Sequence, residues 1–157
     1  MNSYRRWLLV VLFLSLVVFP LMACGGGPAP EGAKPGAGPA RAEYKVGETA
    51  DVGGILVTVY SAKFENGILT ADIEVENQLG SEVMVSSSTN FPVVDNAGQE
   101  GFSVSCMGAG TVGGVLLKGE KMRGLVCWLF SNPQATGFKI TYDGSLYGKG
   151  KAVFSTE

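Results

Sequence analysis

Three kinds of residue in this sequence could do chemistry. They are three thiols (Cys24, Cys106 and Cys127), a file of carboxylates (Asp72, Glu74 and Glu76), and the glycine-rich run Gly108-Ala109-Gly110-Thr111-Val112-Gly113. On an extended strand the carboxylates stand at two-residue intervals, about 7 Å apart on one face. Hard cations such as calcium take carboxylate oxygens, but one strand supplies too few of them to close a coordination shell. The same pattern describes the solvated face of a half-buried strand, where like charges also discourage edge-to-edge association. A metal site is therefore not expected, and a cationic partner remains the alternative for the stripe. The glycine run matches a dinucleotide fingerprint in letters only. Gly114 and a short Val115-Leu116-Leu117 run follow it, then Lys118-Gly119, so no helix N-terminus is in place to receive a pyrophosphate. A loop between strands is the expectation there. Histidine is absent from the whole chain, which removes the commonest general base, zinc ligand and triad partner. A cysteine nucleophile would have only Lys or Arg to depress its pKa. We expect no catalytic residues, no cofactor and no enzyme.

The elements before the carboxylates concern location. Tyr4, Arg5 and Arg6 form a short basic start, Trp7 to Phe19 is apolar except for Ser15, Pro20 interrupts it, and Ala23 precedes Cys24. A basic start, an apolar core and a small-residue cleavage site make a secretory leader, residues 1–23. An uncleaved spanning helix is the competing reading. It needs about 20 apolar residues, and Trp7 to Ala23 falls short with a proline inside it. Residues 24–42 read as a flexible linker, rich in glycine and in Pro28, Pro30, Pro35 and Pro39, with no large apolar residue to bury. As a coil it would hold the following domain about 20–25 Å from its anchor.

Residues 43–157 are enough for one domain with one core. Arg5 and Arg6 leave with the leader while every acidic residue follows Cys24, so the remaining chain is mildly acidic, against a whole-chain formal charge of −2. Nucleic acid, whose phosphates demand clustered Lys and Arg, is not an expected partner. An exported chain meets oxidising conditions, so Cys106 and Cys127 are a disulfide candidate. The alternative is two buried free thiols acting as small hydrophobes.

From Ala42 onward the pattern is β. Ile55–Phe64 is rich in β-branched and aromatic residues, and Glu65-Asn66-Gly67 supplies a turn. In Ile68–Asn77 the residues Leu69, Ala71, Ile73 and Val75 alternate with Thr70, Asp72, Glu74 and Glu76, the mark of a strand with one face on a core. Further strands are expected at Val83–Val85, Phe91–Val94, Val115–Leu117, Met122–Phe130, Phe138–Tyr142 and Ala152–Ser155. Turns are expected at Asp95-Asn96-Ala97-Gly98, Lys118-Gly119-Glu120-Lys121 and Asp143-Gly144. Short, evenly punctuated strands without helical periodicity indicate an all-β antiparallel β-sandwich of immunoglobulin-like size. In Met122–Phe130, Val126, Trp128 and Phe130 alternate with Leu125, Cys127 and Leu129, and Arg123 places the second set outward. Trp128 is then a core anchor, and Leu125 and Leu129 form an outward apolar strip. Such a strip either marks a partner site or is covered by a neighbouring loop, for which Gly108 to Gly114 is the candidate.

Two resemblances add to this. Leu21-Met22-Ala23-Cys24 resembles the lipobox of bacterial lipoproteins, which implies that the Cys24 thiol carries diacylglyceryl and, after cleavage, becomes a lipidated N-terminus. Tyr44-Lys45-Val46-Gly47-Glu48-Thr49-Ala50 leading into Ile55-Leu56-Val57-Thr58-Val59, the strand Leu69–Asn77, and Leu117-Lys118-Gly119-Glu120-Lys121 before an apolar strand are similar to an uncharacterised family of bacterial extracellular lipoprotein domains. That family is related to the secreted immunoprotective antigen of mycobacteria. The resemblance implies an immunoglobulin-like fold outside the cytoplasm and no activity. Together these readings predict a non-catalytic binding or interaction module, tethered to a membrane through Cys24 on its extracytoplasmic side. Its partner would be an envelope or secreted protein. The alternative is a tethered carrier of a small ligand or metal ion.

Overall fold

The computed structural model describes residues 43–107 and 110–157. The leader 1–23, the linker 24–42 with Cys24, and Gly108 and Ala109 lie outside the described residues.

Among the described residues eleven strands follow one another: β1 (Tyr44–Lys45), β2 (Thr49–Asp51), β3 (Ile55–Glu65), β4 (Ile68–Asn77), β5 (Val83–Ser86), β6 (Val93–Val94), β7 (Phe102–Val104), β8 (Gly113–Leu116), β9 (Lys121–Leu129), β10 (Lys139–Asp143) and β11 (Lys151–Ser155). One helical turn, α1 (Ser87–Asn90), separates β5 from β6, and a 3₁₀ turn at Ser145–Tyr147 joins β10 to β11. A five-stranded sheet has the order β2-β3-β4-β9-β7, a four-stranded sheet the order β1-β11-β10-β6, and β5 pairs with β8 in a separate ribbon. The pairing is antiparallel with one departure from expectation: β1 runs parallel to β11, Tyr44 opposite Phe154.

The sandwich forms because both sheets carry one apolar face. Leu69, Ala71, Ile73 and Val75 of β4 are fully buried and share a single core with Val126 and Trp128 of β9 and with Ile140, Tyr142, Ala152 and Phe154 of the other sheet. Burial of each larger side chain contributes about 1.5–3 kcal/mol. The β3–β4 hairpin closes through Asn66 (φ 52°) and Gly67 (φ 80°), with Glu65 opposite Ile68. Two consecutive positive φ angles suit the turn whose twist matches the strands, and Asn-Gly is its preferred pair. A bulge between Val59 and Ser61 switches the inward parity of β3. Ile55, Val57 and Val59 are buried before it, Ala62 and Phe64 pack on the core after it, and Tyr60 is turned to the outer face. One extra residue in an antiparallel strand has this effect because side chains alternate with period two.

Two expected elements differ. Phe91 is buried but lies outside β6, because α1 intervenes and delivers its carbonyl to Trp128, whose Nε1–H donates to Phe91 O at 2.9 Å. Gly113 and Gly114 belong to β8 and not to a loop, pairing with Ser86 and Val85.

Buried polar groups are mostly satisfied, as the low interior dielectric demands. Asn77 donates to the carbonyls of Ser81 (2.8 Å) and Leu116 (2.9 Å), and its Oδ1 accepts from Leu79 N–H. Asp95 accepts from Ala97 and Gln99 in the expected turn. Among the described residues the Tyr142 hydroxyl is buried without a hydrogen-bond partner. Burial pushes its pKa up to about 12, with Tyr147 and Asp143 adding to the shift. An unsatisfied buried hydroxyl stabilises nothing. Tyr142→Phe is therefore expected to leave stability to urea unchanged or to raise it by up to about 1 kcal/mol. A loss larger than that would show that the hydroxyl is engaged.

Candidate interaction surface

The outward face of β4, β9 and β7 is laid out by register. Glu76 lies opposite Lys121, Glu74 opposite Arg123, Asp72 opposite Leu125, Thr70 opposite Cys127 and Ile68 opposite Leu129. On the far side of β9, Val104 lies opposite Cys127 and Phe102 opposite Leu129. Outward positions recur every two residues, so these pairs form successive rows, charged at one end and apolar at the other.

In the charged half the carboxylate stripe meets cations from β9. Arg123 grips Asp72 with two bonds, Nε to Oδ1 at 3.0 Å and a terminal nitrogen to Oδ2 at 2.7 Å, while its guanidinium lies 3.9 Å from the centre of the Tyr60 ring. Lys121 binds Glu76 at 2.7 Å and reaches Glu74 at 3.9 Å. The Arg123 hydrogen bonds hold the Asp72 carboxyl below its ordinary range, and Lys121 followed by Gln78 does the same for Glu76. Exposed pairs of this kind contribute about 0–1 kcal/mol each. Asp72, Glu74 and Glu76 are thus brought together with Arg123 and Lys121 as a cross-strand network. Among the described residues no three such side chains are gathered as a metal ion would need.

The apolar half is open. Phe102 is 67 % exposed, Leu129 45 % and Ile68 39 %, and the three stand abreast in one row. Val104 continues the surface, and Met107, three residues further along the chain, is almost wholly exposed. Between them the structure joins Cys106 to Cys127 in a disulfide with 5.4 Å between Cα atoms, a normal spacing for the bond. The Cys127 side chain is buried beneath Cys106, with Thr70 Oγ1 3.5 Å from its sulfur.

The run 110–112 does not cover the face, as one expectation had it. It pairs along the edge of β9 beyond the end of β7: Leu125 N–H donates to Gly110 O at 3.0 Å, Val112 N–H to Leu125 O at 3.4 Å, and Thr111 lies parallel to Leu125. The disulfide sits where the chain passes from β7 to this second edge segment. Gly124 makes the approach feasible, since a Cβ there would lie 2.6 Å from Gly110 O. Because β8 follows directly at Gly113, the glycine run leads into a strand. A phosphate cradle needs a helix start at that point.

Of the two leucines expected outward, Leu129 is exposed and Leu125 is only half-buried, beside the edge segment. Phe102, Val104 and Ile68 were not singled out by sequence reasoning. Ile68 was legible, since a strand that turns Leu69 inward turns Ile68 outward. The Phe102–Val104 strand is three residues long, too short for alternation to register.

No family model matches this chain, and no curated protein matches it. Three solved structures share its fold. The yjhA protein from Bacillus subtilis is 17 % identical with a TM-score of 0.59, covering 73 % of this chain and 99 % of its own. An inferred lipoprotein, ycdA, also from Bacillus subtilis, is 11 % identical with a TM-score of 0.57 over 73 % of this chain, which spans only 39 % of that protein. The secreted protein MPT63 from Mycobacterium tuberculosis is 13 % identical with a TM-score of 0.53, covering 72 % of this chain and 95 % of its own. At these identities the likeness is one of fold, an all-β sandwich.

Proposed function

We propose that this chain is a non-catalytic interaction module, tethered on the extracytoplasmic side of a membrane by lipid on Cys24, that docks an envelope or secreted protein on the Phe102–Leu129–Ile68 row. The observation that carries this is three large apolar side chains abreast on a rigid sheet, all substantially exposed. A soluble surface keeps such residues scattered unless something covers them. A paired, nearly neutralised charge network beside the row supplies the polar rim typical of an interface. The leader and the Leu21-Met22-Ala23-Cys24 motif support the tether, and the fold-level likeness to a secreted protein and to an inferred lipoprotein agrees with a place outside the cytoplasm.

The test is amine-independent photo-crosslinking in intact cells of the source organism, using the full chain. The wild type should give a discrete crosslinked species in the membrane fraction. Leu129→Asp with Phe102→Asp should abolish it, and Lys151→Gln, on the other sheet, should leave it unchanged. Cys24→Ala should move the protein out of the membrane fraction or leave the precursor uncut. Crosslinks that survive the double substitution would refute the docking row, and membrane retention of a processed Cys24→Ala chain would refute the lipid.

A tethered carrier is the second reading. One observation favours it for a small organic ligand over a metal ion: an open cleft at the Asn66-Gly67 end of the sandwich, distinct from the paired carboxylates.

A further inference from the structure

At that end the two sheets part and leave a cleft of about 430 Å³ that opens to solvent, within the size range of small-ligand sites. Its walls come from both sheets: the half-buried Phe64 of β3 over the buried Leu69 of β4 on one side, and Phe138, buried just before β10, on the other. The Phe64 and Phe138 rings lie 4.8 Å apart between centroids, and Phe130 backs both, 6.0 Å from Phe64 edge-on and 5.0 Å from Phe138. Phe64 remains half-exposed towards the opening. The mouth carries the Glu157 side chain, whose Oε1 lies so close over Gly137 that a Cβ at that glycine would be 2.6 Å away. Among the described residues no ion pair or hydrogen bond engages this carboxylate, and no lysine or arginine lines the cleft.

We propose that this cleft binds a small organic cation, an amine or quaternary ammonium that carries an aromatic or branched alkyl body. An aromatic face attracts a cation through its quadrupole, more strongly once water is displaced. The unpaired carboxylate at the mouth supplies the opposing charge. An anion of the same shape meets Glu157 with repulsion, and a neutral one gains the apolar contact alone. Phe64, the one of these rings left partly exposed, thus sets affinity for the body with the buried Phe138 and Leu69 behind it, and Glu157 sets preference for the charge. The proposal names the ligand class for the carrier reading, and it is independent of the docking row.

The experiment uses the full chain in nonionic-detergent micelles, labelled with ¹³C at alanine methyls, because the Ala62 and Ala135 methyls line the cleft. Benzyltrimethylammonium, benzyl alcohol and benzenesulfonate are titrated in turn. The cation should move both methyl signals saturably and bind at least fivefold more tightly than benzyl alcohol, with benzenesulfonate weakest. Glu157→Gln should remove that preference while leaving benzyl alcohol unchanged. Thr136→Trp, an exposed position at the cleft, should block all three and so exclude an effect of micelle partitioning. Equal binding of cation and alcohol, or a preference that survives Glu157→Gln, overturns the cation claim and leaves a neutral-ligand carrier standing. No saturable shift with any probe overturns the carrier reading as well.

Discussion

Trp128→Ala will destabilise the domain by about 3–5 kcal/mol, the range for removing a buried aromatic side chain. Trp128 is 1 % exposed and sits on β9, the strand that joins β4 to β7. Its loss opens a cavity in the shared core and leaves the Phe91 carbonyl without its donor. A domain of this size has about 5–15 kcal/mol in total, so about a fifth or more of its stability goes with this one side chain. Trp128→Phe separates the two contributions. It keeps much of the volume but orphans the Phe91 oxygen, for an expected loss of about 1–3 kcal/mol. Urea unfolding followed by far-ultraviolet circular dichroism reads both, because the strand signal does not depend on the tryptophan removed. A loss below about 1 kcal/mol for Trp128→Ala would mean that the core closes around the gap, contrary to the close packing expected of interiors.

Replacing Cys106 and Cys127 together by alanine will cost about 3 kcal/mol, the loop-closure entropy released into the unfolded chain for a separation of 21 residues. For a domain of this length the melting temperature should fall by about 10–15 °C. Hydrogen exchange adds a local signature. The Leu125 and Val112 amides, which tie the edge segment to β9, should lose protection before the β3–β4 hairpin does, since the disulfide holds the chain where it leaves β7. Unreduced protein should resist thiol alkylation at both positions and weigh two hydrogens less than the reduced form. A double variant as stable as the parent, or two thiols that alkylate freely in the oxidised protein, would end the account of this bond.

The parts of the fold that were legible are those written in local sequence. Most of the β4 strand was readable, because apolar and polar residues alternate with period two from Leu69 to Glu76, as a half-buried strand requires. Asn66-Gly67 announced its turn because few residue pairs accept two positive φ angles. The inward set of β9 was legible for the same reason as β4. Three features were not. The bulge after Val59 shifts parity in the middle of the strand, where Val59-Tyr60-Ser61-Ala62 holds no glycine or proline to mark the place. β1, β2 and β7 are two or three residues long, shorter than a period can be recognised. The 110–112 segment extends a sheet edge through backbone bonds, which carry no side-chain pattern.

Local pattern by itself determined the all-β composition, the inward faces of the long strands and the file of Asp72, Glu74 and Glu76, because side-chain alternation is a property of the extended chain. Tertiary structure alone decided what those faces meet. β9 lies beside β4 across some fifty residues of chain, in a register set by the shared core and not by any local signal, and this is what pairs the carboxylates with Arg123 and Lys121. The pairing of β9 with β4 and β7 sets Ile68, Leu129 and Phe102 abreast, and the packing of one sheet on the other brings Phe64 against Phe138 at the sandwich end. The physical reason is that strand neighbours distant in sequence are chosen by the burial of whole faces, a quantity that exists only once the sheets have come together.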